Sequence, residues 1–401
     1  MKESPLAPAN HRHLRQLVAE GVSPWLDGVH RGLLVSGALR RLVEETGVRG
    51  ATSDPLALAD ALAHGTAYRE QLLSLAHHQV SVDGALWAAS VRDLRLACEE
   101  LGAVFESTHG YDGLVSMDLD PRLAHDAAAT VAEATELSRA VGRRNALVKI
   151  PATAAGLAAI RDCVGRGIGV HATEIYSVSR YTQVVAAYFD GLEIALAADH
   201  RLAAIASVAS LPVGRVDAEV DGLLGELGSE DARALLGQAS LAAARLLYRV
   251  YEEHLGGERW RTLRAAGARP QRLMWTDTTR AGRARPGTGY VESLVSWGTV
   301  NAMTPPTLED AARHSTLRGD TLMGQHEAAR SVLDRLGRLG ISYEAVVRRL
   351  EAESVPRLTD SWLLLRRSVA EQLRMVSVSV PAPQLCPGSA APPGPAALPD
   401  R

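Results

Sequence analysis

Of 43 basic residues only two are lysines: Lys2 at the start and Lys149 in Leu147-Val148-Lys149-Ile150-Pro151-Ala152-Thr153. A guanidinium stays protonated and cannot act as a nucleophile, whereas a primary amine withdrawn from water can attack a carbonyl. Lys149 is therefore the first candidate for covalent chemistry, as a Schiff-base lysine at the end of a strand. The alternative is drift in an arginine-biased composition that left Lys149 behind. Other polar residues stand near it in pattern: Asp27, Asp54, Asp118, His171, Thr173, Ser210 and Asp277. Each closes or just follows a short apolar run that reads as a strand.

The elements that must position these residues alternate in type. Strand-like runs occur at Trp25–Val29, Val48–Ser53, Leu114–Leu119, Leu147–Ile150, Gly169–Thr173, Ile205–Ser210, Arg272–Thr276 and Gly298–Met303. Helical periodicity separates them. Ala38, Leu39, Leu42 and Val43 share one face in Gly37–Thr46, with Gly47 as the stop. Val131, Ala134, Leu137 and Val141 form a stripe in Ala127–Val141, with Asp126 as N-cap and Gly142 as the stop. Tyr181–Ala198 repeats the pattern. Strands alternating with helices predict a parallel sheet, and eight units within about 280 residues predict an α/β fold of the (β/α)8 TIM barrel type. Extra helices are expected around Leu56–Leu62 and Ala67–His78, and across residues 305–375. The expected organisation is an N-terminal extension over 1–22, the barrel with its added helices over 23–375, and a Pro/Ala-rich disordered tail over 376–401.

In such a barrel, chemistry sits at the C-terminal strand ends. The interior should be apolar, so polar side chains there are either satisfied in a network or face a site. A capping role competes for each acid, most strongly for Asp54, which precedes Pro55 and a helix-like run. One lysine ringed by acids, Thr and Ser is the layout of an imine-forming aldolase site, and burial near a barrel mouth would favour the neutral amine.

The bulk numbers exclude some partners. The net charge of −3 offers no electrostatic case for nucleic acid or an anionic membrane. The polar N-terminus reads as no signal peptide, and no apolar stretch is long enough to span a bilayer. Cys98, Cys163 and Cys386 lack metal-type or CxxC spacing, and with the absence of a leader they point to the cytoplasm. His11/His13 and His77/His78 lack a third ligand at suitable spacing, and no metal site is expected.

The order of motifs resembles the transaldolase family, in its actinobacterial-type branch. The matching segments include Trp25-Leu26-Asp27, Gly50-Ala51-Thr52-Ser53-Asp54-Pro55, Val104-Phe105-Glu106, and Val115 to Ala124. Val148 to Thr153, Thr173 to Ser177, Ser207 to Asp217, and Gly298-Thr299-Val300-Asn301 continue the register. The resemblance implies an aldol transfer through an imine on Lys149 with no metal or organic cofactor. It also implies sugar or sugar-phosphate substrates and a monomer or homodimer. By the same resemblance Asp27 takes the donor hydroxyl proton, and Asp118 stands where the family has a Glu acting through water with Thr173. Asp54 and His171 contact the donor, Ser210 contacts substrate, and Arg215 and Arg280 bind phosphate. For the two arginines, surface ion pairs remain the alternative.

The chain also departs from the family. Two asparagines have become Asp54 and His171, the catalytic Glu has become Asp118, and a Leu has become Glu174. The paired exchange suggests that Asp54 and His171 face each other in a charge-assisted hydrogen bond that raises the His171 pKa. The alternative is that they preserve only packing and polar satisfaction. A carboxylate withdrawn by about 1 Å can cost on the order of 10²-fold in rate unless the pocket is rebuilt around it. These changes favour an altered substrate, as expected of an enzyme of specialised metabolism. An ordinary pentose-phosphate transaldolase, a non-catalytic sugar-phosphate-binding paralogue, and a lyase or carbonyl–amine condensing enzyme that reuses Lys149 remain open.

Overall fold

The computed structural model describes residues 12–279 and 288–378. Eight parallel strands close into a barrel in sequence order. They are β1 (Ser23–Asp27), β2 (Gly50–Thr52), β3 (Leu114–Asp118), β4 (Ala146–Pro151), β5 (Val170–Thr173), β6 (Ser207–Pro212), β7 (Arg272–Thr276) and β8 (Val300–Met303). All eight expected strands are present, with ends displaced by one to a few residues for local reasons. Gly28 turns the chain at φ +86°, so β1 stops at Asp27. Gly298 has φ +77°, so β8 starts only after it. β6 runs on to Pro212, where the missing N–H falls at the strand end and costs the ladder nothing.

The barrel interior is filled at its lower end. Trp25, Leu114, Leu147, Val208, Met274 and Val300 pack together with almost no exposure. Gly50 is required there, because a Cβ at that position would sit 2.3 Å from the Trp25 indole. Beneath this layer Arg272 donates to Asp112 at 2.9 Å and Ser23 donates to the same carboxylate oxygen at 2.5 Å, closing the N-terminal face with a buried ion pair. The floor is therefore sealed, and the barrel opens at the C-terminal strand ends.

The helix Ala127–Val141 forms as the stripe predicts. Asp126 accepts from Ala129 N at 3.0 Å, and Gly142 takes φ +59° at its end. The segment expected as one helix over Gly37–Thr46 is instead a short α-helix, Ala38–Arg41, that widens into a π-turn over Leu42–Thr46 before Gly47. Between β2 and β3 come the helices Pro55–His64, Arg69–His77 and Val82–Glu100. They build a second apolar cluster with the long C-terminal helix Tyr343–Val378. That helix contributes Trp362, Leu365, Val369, Leu373 and Val376, a stripe at three- and four-residue spacing. It therefore continues past residue 375, into the segment expected as tail; the rest of that segment, with Cys386, lies outside the described residues. Cys98 and Cys163 are free and buried, and His77 and His78 are exposed. Among the described residues no helix is long and apolar enough to cross a membrane.

Candidate active site

The C-terminal strand ends open onto a cavity of about 540 Å³. Eight of the nine expected site residues line it: Asp27, Asp54, Asp118, Lys149, His171, Thr173, Ser210 and Arg215. Arg280 lies outside the described residues. Strand register does the gathering. Asp118 on β3 is the ladder partner of Lys149 on β4, and Lys149 is the partner of His171 on β5. Three groups from three strands thus stand side by side at one level of the barrel.

Lys149 Nζ donates to Asp118 Oδ2 at 3.2 Å and also to the backbone oxygen of Ser53. Its side chain is only 12% exposed. Ser53 Oγ donates to the same Asp118 oxygen at 2.6 Å, so the carboxylate is held between a hydroxyl and an amine. The amine is engaged with an acid, and its proton has an immediate acceptor. Burial lifts Asp118 above the usual carboxylate range, against the opposing pull of Lys149 and the Ser53 hydrogen bond.

Asp27 ends β1 on the facing side of the cavity. Burial raises its pKa to about 7, Lys149 opposes the shift, and the neighbouring acids Asp54, Asp118 and Asp277 add to it. Such a group takes up or releases a proton near neutrality.

The expected Asp54–His171 pair does not form. Asp54 Oδ1 instead accepts from Ala57 N at 2.7 Å and caps the helix Pro55–His64, while still lining the cavity. His171 Nδ1 is 3.0 Å from Ser116 Oγ, and Ser116 Oγ donates onward to Thr52 Oγ1 at 2.7 Å. With the Ser116 hydroxyl used on Thr52, Nδ1 carries the hydrogen and Nε2 presents a lone pair. Nε2 is buried without a protein partner. The pKa of His171 is not raised; burial first, and the charge of Lys149 second, drive it well below the usual histidine range. The physical reason for the correction is the demand of the helix start, which takes the Asp54 carboxylate, together with the hydroxyl pair on β2 and β3, which takes the imidazole.

On the other side of the mouth the chain is strained. Glu174 and Asp277, directly after Thr173 and Thr276, have φ of +60° and +54°, a region that side chains rarely adopt. Asp277 O accepts from Gly214 N at 3.1 Å and its carboxylate accepts from Arg215 N–H, tying the end of β7 to the start of the helix Val213–Leu227. Gly214 is needed for that approach, since a Cβ would lie 2.5 Å from Asp277 O. Glu174 accepts from Tyr176 Oη at 2.5 Å and from Arg357 Nη2 at 2.7 Å. Arg357 comes from the C-terminal helix, which crosses the mouth and adds Arg357 and Leu358 to the lining. Sequence reasoning missed this contribution. The available signal was Pro356, a residue without an N–H inside a long helical pattern, immediately before the arginine. Among the described residues no group of three or more His, Cys, Asp or Glu is arranged to hold a metal ion.

Comparison with known proteins accords with this geometry. Residues 24–369 match the family model described as Transaldolase/Fructose-6-phosphate aldolase. The chain is 46% identical over 362 residues to Transaldolase 1 of Streptomyces avermitilis, spanning 90% of this chain and 96% of that protein. It is 45% identical over 360 residues to Transaldolase of Acidothermus cellulolyticus, spanning 90% and 96%. With Transaldolase of Thermobifida fusca the identity is 46% over 360 residues, spanning 90% and 98%.

Proposed function

This chain belongs to the transaldolase/fructose-6-phosphate aldolase family, and from that premise we propose that it moves a ketose-derived carbon unit through an imine on Lys149. It is an enzyme, a transferase of the transaldolase type. The observation that carries the imine reading is Lys149 Nζ at 3.2 Å from Asp118, inside a cavity whose second acid, Asp27, titrates at about 7.

The steps follow from these positions. Lys149 passes its proton to Asp118, and the free amine attacks the ketose carbonyl carbon. The carbinolamine loses water to give an iminium. Asp27, as carboxylate, takes the proton of the hydroxyl beyond the bond to be broken. The carbon–carbon bonding pair flows into the iminium, leaving an enamine on Lys149 and releasing an aldose. An aldehyde or aldose-phosphate acceptor then takes the enamine electrons. Asp27 returns its proton to the new alkoxide, and water hydrolyses the imine to restore Lys149. The iminium is the electron sink, so the reading calls on no metal or organic cofactor. Thr173, Ser210, Asp54 and His171 are assigned to substrate contact, with Arg215 toward a phosphate-bearing end.

The finer part of the proposal is an altered substrate, as in a sugar-processing step of specialised metabolism. Support comes from His171 Nε2. A neutral imidazole there offers an acceptor to a substrate hydroxyl, where an amide could also donate. The test is transfer kinetics with fructose 6-phosphate and erythrose 4-phosphate against a panel of other ketoses and aldoses. Turnover of another pair with kcat/KM at least about 10²-fold higher supports the altered substrate. Robust turnover of the fructose 6-phosphate and erythrose 4-phosphate pair above all others contradicts it.

A further inference from the structure

The C-terminal helix Tyr343–Val378 brings one indole to a small cavity beside the catalytic lysine. That cavity measures about 20 Å³ and is lined by Lys149, Asp118, Thr173 and Trp362, with leucine and proline for the rest of its wall. A site needs about 10–15 Å³ and two to four polar partners to hold a water molecule. There is room for one.

The groups around it have bonding capacity to give. The Ser53 hydroxyl and the Lys149 amine both donate to Oδ2 of Asp118, which leaves Oδ1 as an acceptor. Thr173 offers a hydroxyl that can donate or accept. Trp362 is 8% exposed, and its Nε1–H is buried with no acceptor among the described residues. Its ring packs in the apolar cluster with Leu86, Leu365 and Val369, which accounts for the ring and not for the N–H. A buried indole N–H usually finds a partner. Asp118 and Trp362 also line an outer cleft of about 390 Å³, whose lining residues Asp83 and Glu136 are exposed. The small cavity thus stands between Lys149 and a cleft that meets solvent, on a side that a substrate in the main cavity does not fill.

The covalent steps require water at this place. In carbinolamine dehydration the hydroxyl takes from Asp118 the proton that Lys149 gave it. The C–O bond breaks, water leaves, and the nitrogen lone pair forms the C=N bond. In hydrolysis the water oxygen bonds to the iminium carbon, its proton passes to Asp118, and the C=N pair returns to nitrogen. An N–H donated to that oxygen fixes its place and turns its hydrogens toward Asp118 and Thr173.

We propose that Trp362 is a positioning residue for the water of imine formation and hydrolysis, held in the small cavity by its Nε1–H together with Asp118 and Thr173. A water shared by the Asp118 and Thr173 positions is what the family resemblance implies; the indole from the C-terminal helix is the addition. The proposal deepens the preceding reading and rests on the imine at Lys149.

The experiment follows adduct kinetics in the full-length chain, for the wild type, Trp362→Phe and Val369→Ala. Each is mixed with dihydroxyacetone or with fructose 6-phosphate, quenched with borohydride at intervals and read by intact mass. Dilution of the pre-formed imine before quenching gives its decay. Trp362→Phe keeps an apolar ring and removes the N–H. Its adduct is expected to form and to decay about 10-fold more slowly, the loss of one hydrogen bond, and to reach the same final level. A group that holds the water common to both directions changes the two rates and not the equilibrium. Val369→Ala, a packing change in the same cluster, is expected at wild-type rates. Wild-type rates in Trp362→Phe, a lower final level at unchanged rates, or equal slowing in Val369→Ala overturns the proposal. Failure of the imine reading would show separately, as no adduct in the wild type from either donor.

Discussion

Asp118 Oδ2 lies 3.2 Å from Lys149 Nζ and 2.6 Å from Ser53 Oγ, so one carboxylate oxygen serves both the amine and the hydroxyl that holds it. The short acid is not stranded; Ser53 and the neighbouring strand bring it onto the lysine directly. Asp118→Asn keeps the shape but cannot receive the lysine proton. Its kcat is expected to fall by about 10²–10⁴-fold with little change in KM. Steady-state kinetics check this, and a rise in KM at unchanged kcat would assign Asp118 to binding alone.

Asp27 should impose an acid limb on the pH profile. It must be ionised to take the hydroxyl proton, and its pKa is about 7, so kcat/KM should rise with pH up to about 7 and then level. The same shift has a stability consequence of definite sign. The folded state holds this proton more tightly than the unfolded chain, so the contribution favours folding at low pH and is lost as pH rises from about 4 through about 7. Each tenfold preference for the protonated form is worth about 1.4 kcal/mol. Asp27→Asn is therefore expected to abolish turnover while raising the melting temperature at pH 8 more than at pH 4. A uniform shift at both values would contradict the assignment.

His171 is expected to contribute no limb of its own. Burial first, and the charge of Lys149 second, push its pKa well below the usual histidine range, which disfavours the charged form. His171→Asn should change the donor KM, by about 10-fold, and leave the shape of the pH profile intact. Loss of a limb in that variant would restore an acid–base role.

The floor of the barrel gives a prediction about stability alone. Asp112→Ala removes the carboxylate that Arg272 and Ser23 share and leaves a buried guanidinium short of a partner. Breaking a pair of this kind costs about 3–5 kcal/mol. Chemical denaturation should show that loss, with kcat per folded molecule unchanged.

The barrel was legible in the sequence because eight short apolar runs alternate with helical periodicity in chain order. The gathering of the candidate residues was legible because Asp27, Asp118, Lys149, His171, Thr173 and Ser210 stand at or near C-terminal strand ends, and they line one cavity. Lys149 stands out by type and position, whereas Asp27 and Asp118 stand out by position and take their roles from the family resemblance. Two things were not legible. The fate of Asp54 and His171 depends on which partner wins, and a helix N-terminus and the Thr52–Ser116 pair won by proximity that pattern cannot rank. Arg357 depends on a helix returning over the mouth more than 180 residues after Glu174, and only the buried Trp362-to-Val376 stripe on the second apolar cluster fixes where that helix lies.

The most direct test of the central claim is borohydride trapping read by intact mass, on the wild type and Lys149→Arg, with a panel of ketoses and ketose phosphates. The account predicts a reduced adduct in the wild type whose mass reports the carbon unit carried, and its disappearance in Lys149→Arg with the fold retained. An adduct that persists in Lys149→Arg, or none from any donor with folded wild type, would contradict the account.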